Sequence, residues 1–328
     1  MFATSILLLL LAPPDAQTAA RGQAATEALL TGEPTDLAAR MTPEMLAAVG
    51  GEAGLKRFAA EIRGTTGAEL ELLGEQGFHE DRFTSYYRES RFERVARVTV
   101  NWVFDADGRI NGAWVGPSIV AAASPHLDYQ TKTPLRLPFA NPGEGGGWYV
   151  SWGGRDAIRN YHVIAPDQRF AYDFLLNRNG APAQAGGLRN EDHYCWNQPV
   201  LAPAAGRVVS ALADQPDNPR PGEKTAGVPA PGNHVVIDHG DGERSLLAHF
   251  RQGTLRVREG ETVKAGQVLG LCGNSGNSSQ PHVHYHLQTG GKFGEGLGLP
   301  AFFNGYEADG AAVKRGEPQR GQVVVPVE

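Results

Sequence analysis

The sequence predicts a small α+β domain followed by an all-β antiparallel domain. Three observations predict it. Apolar residues recur at helical spacing up to about residue 63. The period then changes to two in "RVARVTVNWVFDADGRINGAWV". From residue 136 onward the chain is short β-rich runs punctuated by Gly, Pro, Asn and Asp, with no helical period of useful length. A length of 328 residues accommodates two ordinary domains. The 42 glycines and 22 prolines favour a loop-rich β protein.

The first twenty residues, "MFATSILLLLLAPPDAQTAA", read as a secretory signal. An apolar run from Ile6 to Ala12 precedes small residues, with cleavage expected after Ala20. That run is too short to span a bilayer, later segments are no better, and no stable membrane span is expected. No Cys follows the run, so no lipid anchor is expected there. The protein is therefore expected to be exported, to the periplasm or the extracellular medium.

Residues 22–117 form the expected α+β accessory domain. In "TPEMLAAVG", Thr42 is placed as an N-cap, Pro43 at the first helical position and glycine at the end. "LKRFAAEIRG" puts Leu55, Phe58, Ala59 and Ile62 on one helical face. Two strands follow around an Asp107-Gly108 turn. Helices before a curled antiparallel sheet make an α+β unit. It resembles the cystatin-like or nuclear-transport-factor-like domains that precede catalytic domains in secreted bacterial proteins. His79, Tyr86 and Tyr87 are read as surface or core residues, and this half is assigned no chemistry. Residues 118–135 are expected to be a linker, 136–305 the β domain and 306–328 a C-terminal tail.

A net charge of -6 argues against a nucleic-acid binder, which is usually basic. The two cysteines, Cys195 and Cys272, can pair in an exported protein or stay as buried thiols; their spacing does not decide.

Most of the histidines fall between residues 162 and 286. "PHVHYH" places His282, His284 and His286 at alternate positions of a strand, so the three imidazoles share one face. Asp173 sits among Tyr172, Phe174, Leu175 and Leu176. A carboxylate buried there needs a cation, a donor or a metal, and Arg169 or another Arg is the simplest salt-bridge partner. "GNHVVIDHGDGERSLLAHF" reads as a hairpin about Gly240-Asp241-Gly242 that ends on His249. His234 and His239 on its first strand are read as turn or surface residues. "GETVKAGQVLG" gives a tight glycine turn between two strands, and the loop "GNSGNSSQP" leads into the histidine strand. Several histidines in one β domain, with an HxH strand and a carboxylate, point to zinc.

The ordered set "VLAPAAGRV", "GNHVVIDHGDG", "LLAHF", "GETVKAGQVLGLCGNSG" and "PHVHYH" resembles the lysostaphin-type (LytM-type) zinc metallopeptidases, over roughly residues 136–300. The resemblance implies an antiparallel metallopeptidase domain with one Zn²⁺ per chain. His162, Asp173 and His284 would be its metal ligands, and His249 and His282 its catalytic residues. In the family's usual early motif the ligand His stands four residues before the Asp. That position is Arg169 here, so His162 takes the role, with His193 as its backup. His286, and His193 if not a ligand, would support the ligands or line the groove. The implied function is exported zinc endopeptidase cleavage of peptidoglycan peptides.

Two other readings compete. A catalytically silent relative would bind cell wall or activate a partner amidase, and such relatives lose zinc ligands. A structural β domain would carry the histidine strand by chance. "GETVKAGQVLG" also resembles a biotinyl or lipoyl carrier hairpin. However, Lys264 is flanked by Val263 and Ala265 instead of methionines, and carriers have no histidine cluster.

Overall fold

A computed structural model describes residues 14–80 and 83–327. The chain divides into two compact units, the first ending at Ser118 and the second beginning at Ile119. The expected signal run, Ile6 to Ala12, lies outside the described residues. Among the described residues, no helix is long and apolar enough to cross a membrane.

The first unit is α1 (Ala16–Leu30), α2 (Pro34–Ala38), α3 (Pro43–Ala48), α4 (Gly51–Thr66) and then β1 (Glu69–Glu80), β2 (Phe83–Phe92), β3 (Val98–Phe104) and β4 (Ile110–Pro117). The four strands form an antiparallel meander in chain order. Asp15 caps α1 by accepting from the backbone N–H groups of Gln17 (3.0 Å) and Thr18 (2.9 Å). The expected cleavage point after Ala20 therefore falls inside a capped helix. Thr42 caps α3 by accepting from the Met45 N–H at 3.1 Å, with Pro43 in the first turn. Leu55 and Ala59 of α4 share a core with Tyr86, Trp102 and Phe104 of the sheet. Burial of a side chain such as Leu55 stabilises by roughly 1.5–3 kcal/mol. Gly22 lets α1 approach closely, because a Cβ there would lie 2.2 Å from the Tyr86 ring.

The second unit contains β5 (Gly146–Trp152), β6 (Tyr172–Arg178), β7 (Pro199–Leu201), β8 (Gly206–Leu212), β9 (Asn233–Asp238), β10 (Arg244–Phe250), β11 (Thr262–Val263), β12 (Val268–Leu271), β13 (Val283–Gln288), β14 (Gly298–Leu299), β15 (Phe303–Ala308), β16 (Ala311–Gly316) and β17 (Val323–Pro326). The main sheet runs β11-β8-β9-β10-β13-β6-β5-β17-β15-β16, with β14 beside β13. Its two faces have different characters, as the period of two requires. One face puts Val283, Tyr285, Leu287, Leu247, Phe174, Val235 and Ile237 into the main core. The other carries His284 and His286, opposite Ala248 and Leu246 of β10. The hairpin at Gly240-Asp241-Gly242 forms as expected between β9 and β10.

The "GETVKAGQVLG" turn lies between two strands as expected: β11 joins β8, and β12 pairs with β7 in a separate two-stranded sheet. Two sequence expectations differ from the structure. The expected linker, residues 118–135, is docked: the Ala122 N–H donates to the Val163 carbonyl at 2.6 Å. Glu243 accepts from the Tyr129 hydroxyl (2.8 Å) and from the backbone N–H groups of Lys132 (2.6 Å) and Thr133 (2.8 Å), and Leu135 is fully buried. The expected tail, residues 306–328, supplies β16, β17 and half of β15. Asp309 (φ 51°) and Gly310 (φ 77°) make the left-handed turn of a β15–β16 hairpin, and Tyr306 and Val324 are buried in the core. Cys195 and Cys272 are joined as a disulfide with Cα atoms 6.0 Å apart.

Candidate metal centre

β6 and β13 are adjacent and antiparallel, and Asp173 is the direct cross-strand partner of His284. Both project to the face away from the main core. His284 Nδ1 lies 2.9 Å from Asp173 Oδ1. His282 immediately precedes β13, and its Nε2 is 3.4 Å from the same oxygen. His162 comes from the single 3₁₀ turn Tyr161–Ile164, and its Nε2 is 3.6 Å from Asp173 Oδ2. His249 stands where the β9–β10 register breaks, with φ at 63° in the left-handed region. A non-glycine residue there is uncommon and signals a constrained position. The conformation turns the ring toward the cluster, with centroid distances of 4.7 Å to His282 and 5.6 Å to His284.

The far nitrogen of each ring reveals what the near one offers. Asn160 spends both amide hydrogens on the carbonyls of Gly154 and Ala171, each at 3.0 Å. Its Oδ1 can therefore only accept, and His162 Nδ1, 2.8 Å away, must donate. His249 Nδ1 donates to the Ser275 carbonyl at 2.7 Å. His282 Nδ1 donates to the Gln280 carbonyl at 2.8 Å. A neutral imidazole carries one hydrogen, so the Nε2 atoms of His162 and His249, whose neutral form burial favours, carry lone pairs. These protonation states follow from the hydrogen-bond partners. The His162 lone pair, 3.6 Å from Asp173 Oδ2, repels the carboxylate unless a cation lies between them. The donor set, imidazole nitrogens with one carboxylate, is that of a zinc site.

Ligand atoms within 4.8 Å of one another form two triads that share His284: His162–Asp173–His284 and His249–His282–His284. All five residues are buried. Burial pushes the His162 pKa down to about 3. Burial and the facing His282 and His284 rings hold His249 well below the ordinary value. Burial alone would raise the Asp173 pKa, but the facing His162 and His282 hold it well below the carboxylate range. Burial alone would lower His282, but the charge and hydrogen bond of Asp173 raise it. Beside the cluster lies a cavity of about 150 Å³, lined in part by Tyr161, Ile164, Asn277 and Phe293.

The other candidates are placed as follows. His286 lies behind His284, with Nδ1 2.9 Å from His284 Nε2. His193 is not in either triad: its Nε2 meets the Gly187 carbonyl at 3.2 Å. Arg169 does not take the salt-bridge role. Its guanidinium lies over the Phe170 ring at 5.2 Å and reaches the Arg155 carbonyl at 3.3 Å. His239 contacts the Ala205 carbonyl and Ser245 Oγ, both at 2.8 Å, and His234 contacts the Gly232 carbonyl at 2.9 Å. Sequence reasoning missed the groups that orient the rings: Asn160, Gln288 and the carbonyls of Ser275 and Gln280. Asn160, two residues before His162, had a readable signal, because Asn side chains commonly bond backbone two residues on. Backbone carbonyls have none.

The fold and the cluster define a β domain able to hold a metal ion. Residues 193–294 match the family described as Peptidase family M23, and the chain belongs to that family. The matched segment contains His249, His282 and His284 and begins after His162 and Asp173. Lipoprotein NlpD of Yersinia enterocolitica is 37% identical over 95 residues, which cover 29% of this chain and 81% of that protein. The peptidoglycan DD-endopeptidase ShyA of Vibrio cholerae is 39% identical over 64 residues, covering 20% of this chain and 14% of that protein. The chain thus spans a small part of ShyA and most of that NlpD. Among solved structures, a mutant catalytic domain of the prophage-encoded M23 protein EnpA from Enterococcus faecalis shows 22% identity and a TM-score of 0.31, covering 50% of this chain and 94% of that chain.

Proposed function

We propose that this chain is an exported zinc endopeptidase that hydrolyses peptide bonds of peptidoglycan during cell-wall remodelling. One observation carries the reading: His162, held by its far N–H, aims a bare nitrogen at the carboxylate that His284 also faces, with His249 and His282 grouped around the same His284 ring. His162, Asp173 and His284 hold one Zn²⁺ per chain, since the triad with a carboxylate offsets the ion's charge and leaves two imidazoles for proton work. A zinc ion bound there supplies Lewis acidity, polarising the scissile carbonyl and lowering the pKa of a water. His249 takes up a proton at Nε2, kept an acceptor by the Nδ1 hydrogen bond to Ser275. His282, protonated at Nε2, donates to the oxyanion that develops on the carbonyl. The cavity beside Tyr161 and Phe293 receives the substrate chain. ShyA, a peptidoglycan DD-endopeptidase by name, supports the substrate class. The Cys195–Cys272 disulfide supports export, because such bonds persist in oxidising compartments.

A second reading rests on the NlpD likeness, since relatives of that name from Escherichia coli and other species are called murein hydrolase activators. Digestion of purified cell wall by the zinc-loaded chain separates the two. The endopeptidase reading expects new amino termini from the wild type. It expects none from His282→Ala, which should keep its zinc. Zinc binding without cleavage of any cell-wall preparation, together with stimulation of an added amidase, would favour the activator.

A further inference from the structure

Behind His284, the chain's hydrogen-bond directions are fixed from the far end inward. Gln288 Nε2 donates to the Gly290 carbonyl at 2.9 Å and to the Lys292 carbonyl at 2.8 Å. An amide has two hydrogens, so both are spent and Gln288 Oε1 can only accept. His286 Nε2 lies 2.7 Å from that oxygen and must carry the hydrogen. A neutral His286 then has a bare Nδ1. His284 Nε2 lies 2.9 Å from it and must donate. That leaves His284 Nδ1, the atom facing Asp173, free of hydrogen in the neutral ring.

We propose that Gln288, acting through His286, is a positioning relay that fixes the tautomer of His284 and presents its Nδ1 to the metal. The proposal rests on the zinc reading above and deepens it. His284, His286 and Gln288 are alternate residues of β13 on one face, with relative exposures of 3%, 0% and 0%. Along such a buried line each hydrogen-bond direction dictates the next. The anchor is itself positioned: Gly290 and Lys292 belong to the turn that carries Phe293, a residue of the cavity wall. The origin of the relay is thus a turn beside the substrate cavity, and its end is a ligand atom. Partners of metal-bound histidines commonly set ring orientation and basicity in this way, and losing one costs about 10–100-fold in metal affinity.

The test uses the full chain labelled with ¹⁵N-histidine. Long-range proton–nitrogen spectra of the metal-free and zinc-loaded protein read each ring nitrogen, and chelator competition reads zinc affinity. The wild type should show hydrogen on His286 Nε2 and His284 Nε2, and none on His286 Nδ1. Gln288→Met removes the acceptor at similar size. It should abolish the single His286 tautomer and weaken zinc binding by about 10–100-fold. Gln288→Glu keeps the acceptor but loses both donors to the turn. It should unfold at lower temperature yet keep the His286 tautomer, with zinc affinity clear of the about 10–100-fold loss of Gln288→Met. Hydrogen on His286 Nδ1 in the wild type would overturn the relay. So would unchanged zinc affinity in Gln288→Met, or affinity in both variants that simply follows their loss of stability. A wild type that binds no zinc would sink the endopeptidase reading instead, while the metal-free spectra would still report the His286 tautomer.

Discussion

Asp173 and His284 lie 111 residues apart in sequence and directly opposite each other on adjacent antiparallel strands, with Oδ1 and Nδ1 2.9 Å apart. This pair is the hinge of the whole site. His162 reaches it from a 3₁₀ turn, His282 from the residue preceding β13, and His249 from a left-handed position at a register break. An antiparallel sheet makes such a pairing reproducible, because a one-residue slip of either strand would send its side chain to the opposite face from its partner's.

Asn160 would orient His162 for the proposed metal. It accepts from His162 Nδ1 while both its own hydrogens are spent on Gly154 and Ala171. Asn160→Ala should weaken zinc binding by about 10–100-fold, as read by chelator competition, with the circular dichroism of the β domain retained. Unchanged affinity would show that His162 is not a ligand or needs no orientation.

The disulfide closes a loop across a sequence separation of 77 residues, and one of its ends leads into the site. Cys272 bridges to Phe250, and the Gly273 N–H donates to the His249 carbonyl at 3.1 Å. Replacing both cysteines by serine should lower the unfolding free energy by about 4 kcal/mol on chain-entropy grounds. Denaturant titration of the double variant measures this. His249 should be the member of the cluster most affected, since its backbone is held from that side.

Acid should destabilise the metal-free protein. His162 is pushed down to about 3 by burial, and burial likewise holds His249 and His286 well below their ordinary values. In the unfolded chain each would titrate near 6.5. A depressed histidine pKa means that the unfolded state binds the proton first. Stability is therefore fully present above about pH 6.5 and falls as pH drops below it, at up to about 1.4 kcal/mol per pH unit for each such ring. His282, whose pKa is raised by Asp173 against burial, works in the opposite sense and offsets part of the loss. Urea midpoints measured from pH 8 to pH 5 should fall toward acid, and the fall should shrink in His286→Gln.

The legible parts of the molecule were those with a strict period. Alternation in "PHVHYH" placed three histidines on one face, two of them on β13, and an apolar run around Asp173 marked a carboxylate that needed a partner. The Thr42 cap, the Asp107-Gly108 turn and the β9–β10 hairpin carried local chemistry that needs no tertiary help. His162 was less legible because it sits in one 3₁₀ turn, with no period of its own and eleven residues before Asp173. The expected linker failed because its anchors are remote: Glu243 holds it through two backbone N–H groups and a tyrosine. The expected tail hid a readable signal, the Asp309-Gly310 turn, which closes a hairpin that the main sheet absorbs. The acceptors that orient the rings are largely backbone carbonyls, which no residue type announces.

The central claim is that His162, Asp173 and His284 hold one zinc ion. An anomalous difference map at the zinc edge, from crystals of the zinc-loaded full chain, tests it directly. The account expects one peak in this domain, with His162 Nε2, an Asp173 oxygen and His284 Nδ1 each at about 2.0–2.2 Å. A peak held by His249, His282 and His284, a ligand from His193, or no peak at all would contradict it.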